Sequence, residues 1–192
     1  CSLYFWLPLA RRRTKKSNIA MNPVAPDEPR VFAFCLVERF SMMSVVASID
    51  TLRIANRLLR REVYRWLLVT LGGVPVSSSS NITITPEGRL EDLARPDICF
   101  VAAGLEPLPE PAAAYRACLQ RLAGAGAGLG GLSTGTFLLA ASGLLEGHRC
   151  MVHWENRPAF METYPDLDCT SKVYEIDRDR YTSSGGAAAV DM

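Results

Sequence analysis

Hydrophobic positions along the chain fall into short unbroken runs separated by longer stretches of helical period. Residues 31–37, VFAFCLV, are apolar throughout, as suits a strand buried on both faces of a parallel sheet. Residues 41–60 change to a period near 3.6: Val45, Ile49, Leu52 and Leu59 share one side, and Arg53, Arg57 and Arg60 the other. Ser41 stands where an N-cap is expected. A second strand is predicted over 63–71, closed by Gly72-Gly73, and a third over 97–102, DICFVA. Between them the serine-rich segment 74–85 reads as a short hairpin or an edge piece. Helical spacing returns over 112–123, then a small apolar strand over 126–132 and a helix over 134–145. Beyond lie a short strand at 150–152, a helix over 155–164, a hairpin built from 172–176 and 180–183, and the start of a helix over 185–192. Strands alternating with helices of 10–20 residues predict an α/β protein with a mainly parallel sheet, in which ligands gather at the carboxyl ends of the strands.

Composition supports one ordinary folded domain. The chain has 192 residues, 48% of them hydrophobic and 21% charged, which excludes collagen-like, coiled-coil and disordered classes. No apolar run approaches the ~20 residues of a membrane helix. The formal net charge of +1 is unevenly placed. Five of the 21 basic residues (Arg11, Arg12, Arg13, Lys15, Lys16) lie in residues 1–20 without an acid, so residues 21–192 carry 16 basic against 20 acidic groups. A mildly acidic body is a poor binder of a phosphate backbone. Residues 1–29 read as an upstream segment and proline-rich linker, with Met21 as the natural start and 1–20 as disordered or non-native sequence. Residues 30–192 read as the folded domain. An alternative is a basic arm that touches anionic surfaces.

The six cysteines (1, 35, 99, 118, 150 and 169) form no C-x-x-C pair, and His148 and His153 are the only imidazoles. No metal site is therefore expected, and the thiols read as those of a reduced, cytoplasmic protein. Cys35 and Cys99 sit within apolar runs, where a thiol behaves as a small hydrophobe. No dinucleotide or P-loop signature occurs, so no cofactor is expected.

Gly131-Leu132-Ser133-Thr134-Gly135 fits the G-x-S-x-G nucleophile elbow at a predicted strand-to-helix junction. Glycines on both sides would relieve the crowding of a turn that presents one side chain at its apex. A serine nucleophile also needs a base. His153, beyond one helix and one short strand, returns toward the same edge of the sheet. His148 follows Gly147 and reads as solvent-facing. Glu146 is the only acid between Ser133 and either histidine, which does not fit the triad order of an α/β-hydrolase.

Several segments in order resemble one family. They are FSMMSVVASIDTLRIANRL at 40–58, YRWLLVTL at 64–71, GGLSTGTFLLAASGLLEGHRCMVHWEN at 130–156, YEIDRDRYTSSGG at 174–186 and the terminal AAAVDM. They are similar to the sensor domain of AraC-type transcription regulators, within the class I glutamine-amidotransferase-like superfamily that also holds the intracellular-protease and deglycase branches. The resemblance covers about 31–192. It implies a flavodoxin-like, doubly wound sheet with helices on both faces, and pairing as a homodimer. It also implies a helix-turn-helix unit after the sensor, which this chain, ending at Met192, does not include. DNA would be met only through that unit.

The same resemblance implies a site in altered form. Enzymatic members place a cysteine at the elbow where this chain has Ser133, a histidine near His153, and a first-helix glutamate in a place similar to Asp50. A serine without a well-placed base is far less nucleophilic than a thiolate, so catalysis is expected to be lost and the pocket to bind. The betaine, carnitine and arginine regulators of the family point to a small nitrogen-containing effector. Trp154 would stack under its cation, Glu155 and Asp50 would offer negative charge, backbone N–H groups at Ser133 and Thr134 would take a carboxylate, and Phe40, with Met42 and Met43, would line the pocket. A different class of reading remains: a serine hydrolase or amidohydrolase using Ser133 and His153 on this fold.

Overall fold

A computed structural model of the chain describes residues 28–104 and 111–192. The start at Met21, the basic cluster and nearly all of the linker fall outside the described residues. The elements in order are β1 (Arg30–Leu36), α1 (Met42–Leu59), β2 (Tyr64–Thr70), β3 (Val76–Ser77), β4 (Thr83–Ile84), β5 (Gly88–Arg89), β6 (Ile98–Ala102) and α2 (Ala112–Gly124). They continue as β7 (Gly128–Leu132), α3 (Gly135–Ala141), β8 (Arg149–Cys150), α4 (Arg157–Thr163), β9 (Asp168–Cys169), β10 (Tyr174–Asp177), β11 (Arg180–Ser183) and α5 (Ala188–Asp191).

The main sheet has the order β10-β11-β7-β6-β1-β2-β5. Every neighbouring pair is parallel except β10–β11. Its five principal parallel strands, β2-β1-β6-β7-β11, follow the flavodoxin-like order 2-1-3-4-5. The apolar runs alternate faces as a doubly covered sheet requires. Ala33, Cys35, Cys99, Val101 and Leu129 face one core with Leu119 and Leu122 of α2, Phe137–Leu139 of α3 and Phe160 of α4. Phe34, Leu36, Phe100, Ala102 and Leu132 face the other, with Val45, Ile49 and Leu52 of α1.

The sequence-predicted elements are in place, with three differences. The helix expected over 134–145 ends at Ala141, because Gly143 takes a positive φ of 70° and Leu144 N–H returns to the Leu139 carbonyl at 3.0 Å, a glycine-terminated helix end. Leu59, placed by period on the buried side of α1, is exposed. The two-residue strands β5 and β9 leave no periodic signal. Ser41 does occupy the N-cap of α1, but its hydroxyl accepts from Ser44 Oγ at 2.9 Å and caps no backbone N–H.

The glycines of β7 are required by its neighbours. A side chain on Gly130 would collide with the ring of Phe100, which stacks on Phe34 with centroids 5.7 Å apart. One on Gly135 would collide with the Val101 carbonyl oxygen of β6. This contact sets how closely α3 approaches the sheet. Gly135→Ala is therefore expected to lower stability by roughly 1–3 kcal/mol or more in urea unfolding. Gly88→Ala, where no atom stands within 4 Å, should stay within about 0.5 kcal/mol. Equal effects at both positions would refute the packing argument.

Candidate functional site

The turns after β1, β6, β7 and β11 meet at the carboxyl edge of the parallel sheet. After β1 the chain turns through Arg39, at φ 61°, into Phe40, whose backbone bridges both Gly104 and Ser78. Gly104 follows β6 and lies so close to the Arg39 carbonyl that no Cβ fits. The crevice between β1 and β6, where strand order reverses and ligands commonly bind, is thus closed by backbone. The elbow lies beyond it, after β7 and beside the end of β11.

There the elbow is built as its motif demands. Ser133 follows β7 in the left-handed region at φ 58°. A Cβ on Gly131 would stand 2.6 Å from the Thr136 amide nitrogen, and the one on Gly135 would meet Val101, so both glycines of G-x-S-x-G are explained. Ser133 N–H donates to the Ser183 carbonyl at the end of β11 at 3.1 Å. Thr134, 2% exposed, donates its hydroxyl to the Gly104 carbonyl at 2.7 Å. Gly185, at φ 85°, packs directly on the elbow: a Cβ there would stand 2.7 Å from Ser133 Cβ and 3.2 Å from Oγ. The next residue, Gly186, donates its N–H to Ser44 Oγ of α1 at 2.7 Å. Ser44, Ser133, Thr134 and the 185–186 turn therefore form one cluster.

Among the expected site residues, several lie elsewhere. Asp50 is exposed on α1 and accepts from Arg53 Nε at 2.7 Å, and that guanidinium holds its carboxyl below the usual carboxylate range. The first-helix side chains that reach the cluster are Ser44, fully buried, and the exposed Met43, whose Sδ would stand 3.8 Å from a Cβ on Gly186. Phe40 is also fully buried, packed in the core with Phe34, Leu36 and Val76, and is not a lining residue. The N–H of Ser133, expected to take a carboxylate, is already engaged by Ser183.

His153, Trp154 and Glu155 stay together in a short 3-10 turn before α4. His153 Nδ1 accepts the Glu155 N–H at 3.4 Å, with Glu155 Oε2 3.6 Å away, and its ring tilts against Trp154 at 5.5 Å. No hydrogen bond joins Ser133 Oγ to His153 among the described residues. Trp154 is 73% exposed, so it is not a core aromatic. His148, read as solvent-facing, is half-buried. It contacts the Asp177 carbonyl at 3.3 Å, and burial, followed by the nearby Arg178 charge, pushes its pKa down.

A cavity of about 380 Å³ lies away from all of this, on the β2–β5 side, lined by Val31, Leu67, Val69, Leu93, Arg95 and Pro96 among others. None of the cluster residues lines it. Among the described residues no group of three His, Cys, Asp or Glu side chains is placed to hold a metal, and no helix is long and apolar enough to cross a membrane. Sequence reasoning missed Ser44 and the 185–186 turn. Their signals were present: Ser44 and Ser48 interrupt the buried side of α1 at i, i+4, and Gly185-Gly186 closes a serine run.

No family model matches the chain. It is 42% identical over 161 residues to the HTH-type transcriptional regulator CdhR of Pseudomonas aeruginosa, covering 84% of this chain and 48% of that protein. It is 36% identical over 170 residues to the HTH-type transcriptional regulator GbdR of the same species, covering 88% of this chain and 46% of that protein. The chain thus spans about half the length of the curated relatives it matches. The crystal structure of an AraC family transcriptional regulator from Pseudomonas putida superposes with a TM-score of 0.75 at 29% identity, covering 85% of this chain and 88% of that one. Solved DJ-1 and ThiJ/PfpI-type proteins, less than a quarter identical, share the fold alone.

The elbow conformation gives a direct test. A left-handed serine costs about 1–2 kcal/mol, and glycine loses about 0.5–1 kcal/mol of that gain to chain entropy. Ser133→Gly should therefore raise stability by up to about 1 kcal/mol in urea unfolding. A loss of similar size would show that the hydroxyl holds the turn together.

Proposed function

The chain belongs to the AraC-type, HTH-type transcriptional regulators that carry a DJ-1/ThiJ/PfpI-like, class I glutamine-amidotransferase-like domain, and from that premise we propose that it is the part that senses a small nitrogen-containing metabolite. The observation that carries this reading is an elbow kept in shape apart from its candidate base: Ser133 sits strained at the apex, and no hydrogen bond joins its Oγ to His153 among the described residues. A hydroxyl lacking a base is a weak nucleophile but a serviceable hydrogen-bonding group. On this reading the domain has given up catalysis and recognises its ligand. Paired copies, a regulator working in the cytoplasm, and contact with DNA through a helix-turn-helix unit of a longer protein belong to the same proposal.

The chemistry favours a ligand with a cation and a carboxylate, as in betaine, carnitine or arginine. Trp154 and Glu155 offer an aromatic face and a negative charge side by side for the cation. Ser133 and Thr134, with His153, would meet the other end. An exposed cation–π contact is worth only about 0.5–1 kcal/mol, rising to ~2 kcal/mol when desolvated. Binding is therefore expected to bury Trp154, now 73% exposed.

A thermal-shift screen with betaine, dimethylglycine, carnitine, choline and arginine tests this. A ligand at 100 times its Kd stabilises by about 2.7 kcal/mol, roughly 5–10 °C for a domain of this size. One compound should produce such a shift, and Trp154→Ala or Ser133→Ala should diminish it. No shift with any compound, together with covalent labelling of Ser133 by an activated-serine reagent that His153→Ala abolishes, would replace this reading with the hydrolase one.

A further inference from the structure

Cys150 and Cys169 stand at the two ends of the segment that carries His153, Trp154 and Glu155. They are direct register partners in the parallel pair β8–β9, and Thr170 N–H donates to the Cys150 carbonyl at 2.8 Å in the same ladder. Parallel neighbours stand about 4.8 Å apart, inside the 4.4–6.8 Å range of Cα separations that a disulfide spans. Register partners project to one face of a sheet, and both sulfurs pack toward the same core. Both are free thiols, and the Cys169 Sγ–H donates to the Thr170 carbonyl at 3.9 Å.

The two differ in access. Cys150 is fully buried and Cys169 half-buried. The Arg157 guanidinium, at the start of α4, lies against Cys169: Nη2 donates to its carbonyl at 3.3 Å. The neighbouring Cys150 thiol, and then the Arg157 guanidinium, hold the Cys169 thiol below the usual range, whereas the Cys169 sulfur and burial push that of Cys150 up. By contrast, burial raises the thiols of Cys35 and Cys99, the latter to about 12. One thiol is thus primed and partly open, with a second beside it in reserve, the arrangement of a reactive and a resolving cysteine.

We propose that Cys169 and Cys150 form a reversible disulfide when the chain meets a hydroperoxide, and that the bridge clamps the segment 151–168 that carries His153, Trp154, Glu155 and α4. The Cys169 thiolate attacks one peroxide oxygen and the O–O bond breaks. Sulfur becomes a sulfenic acid, and the other oxygen leaves as alkoxide or hydroxide and is protonated. The Cys150 sulfur then attacks the Cys169 sulfur, the S–S bond forms, the S–O bond breaks, and the departing hydroxide takes the Cys150 proton as water. Two thiols and one hydroperoxide give one disulfide, one alcohol (or water) and one water. A thiol reductant reverses it. The bridge does not depend on the effector reading.

The test uses the full chain, reduced, treated with hydrogen peroxide, alkylated and digested with a glutamate-specific protease. Mass spectrometry should find chains lighter by two hydrogens, with the Cys150 and Cys169 peptides joined, and dithiothreitol should undo the link. Cys169 should react at least about tenfold faster than Cys35 or Cys99, the factor one pKa unit makes in thiolate. Cys150→Ser should leave Cys169 as a sulfenic acid that dimedone captures, and Cys169→Ser should leave Cys150 unreacted. Thermal unfolding of both variants checks that they fold, and Cys→Ala versions replace either one that does not. Amide exchange over 151–168 should slow in the oxidised chain. A bridge through Cys1, oxidation of Cys169 to a sulfinic acid without a link, or no reaction at Cys169 overturns the bridge. A bridge that leaves exchange over 151–168 unchanged overturns the clamp.

Discussion

The closeness of backbone to backbone at the carboxyl edge of the sheet governs the rest of the structure. Gly104 against the Arg39 carbonyl, Gly135 against the Val101 carbonyl and Gly185 against Ser133 are three places where a single methyl group does not fit. Each draws the turn after one strand onto its neighbour. Together they leave Ser133 little choice of conformation: its N–H is fixed to Ser183 and the turn is closed by Gly185, so the residue takes up a positive φ that a side chain ordinarily avoids. Strain of this kind persists only where the surroundings over-determine it. Here they do so through backbone contacts, which survive changes in side chains. An elbow of this construction can therefore outlast its chemistry.

That distinction bears on how the site is read. The turn of a nucleophile elbow is present, and no hydrogen bond joins Ser133 Oγ to His153 among the described residues. His153 Nδ1 caps a 3-10 turn, and the first helix brings the hydroxyl of Ser44 to the cluster where a carboxylate was expected. Ser44 accepts from Gly186 and donates to Ser41, so it fastens α1 to the turn before α5. The hydrogen bonds of Ser44 and His153 thus hold local elements together.

The fold was legible because its signals were redundant. The runs at 31–37 and 97–102 are too short and too apolar for anything but buried strands, and the helices between them carry a clear period. The elbow was legible because two glycines and a strand-to-helix junction coincide. The placement of Asp50 failed for a reason visible in the same period. Asp50 lies three residues before Arg53 and seven before Arg57, on the solvent side of α1, where an acid pairs with a base. Ser44 and Ser48 mark the buried side, but small hydroxyl residues on a buried face resemble ordinary packing. Phe40 shows the converse: a large aromatic at a strand end looks like a pocket wall, yet the closed β1–β6 crevice turns it into core. Pairing of Cys150 with Cys169 was out of reach, since strands of two residues have no pattern and register is a property of the sheet.

The segment between those cysteines is where sensing and structure would meet. Its ends are fixed to each other by β8–β9, and Phe160 anchors its helix in the core through an edge-to-face contact with Phe137 at 4.9 Å. Its start, by contrast, presents Trp154 to solvent. An exposed aromatic contact of about 0.5–1 kcal/mol falls far short of the ~4 kcal/mol of even a millimolar complex. Recognition through Trp154 therefore requires that water be excluded from it, by a movement of the 3-10 turn or by a surface brought against it. A movement would be resisted by whatever stiffens the segment, and the β8–β9 pair ties its two ends together. A bridge between the two cysteines would thus act on the same few residues that ligand binding must displace, and the cost of one would enter the equilibrium of the other.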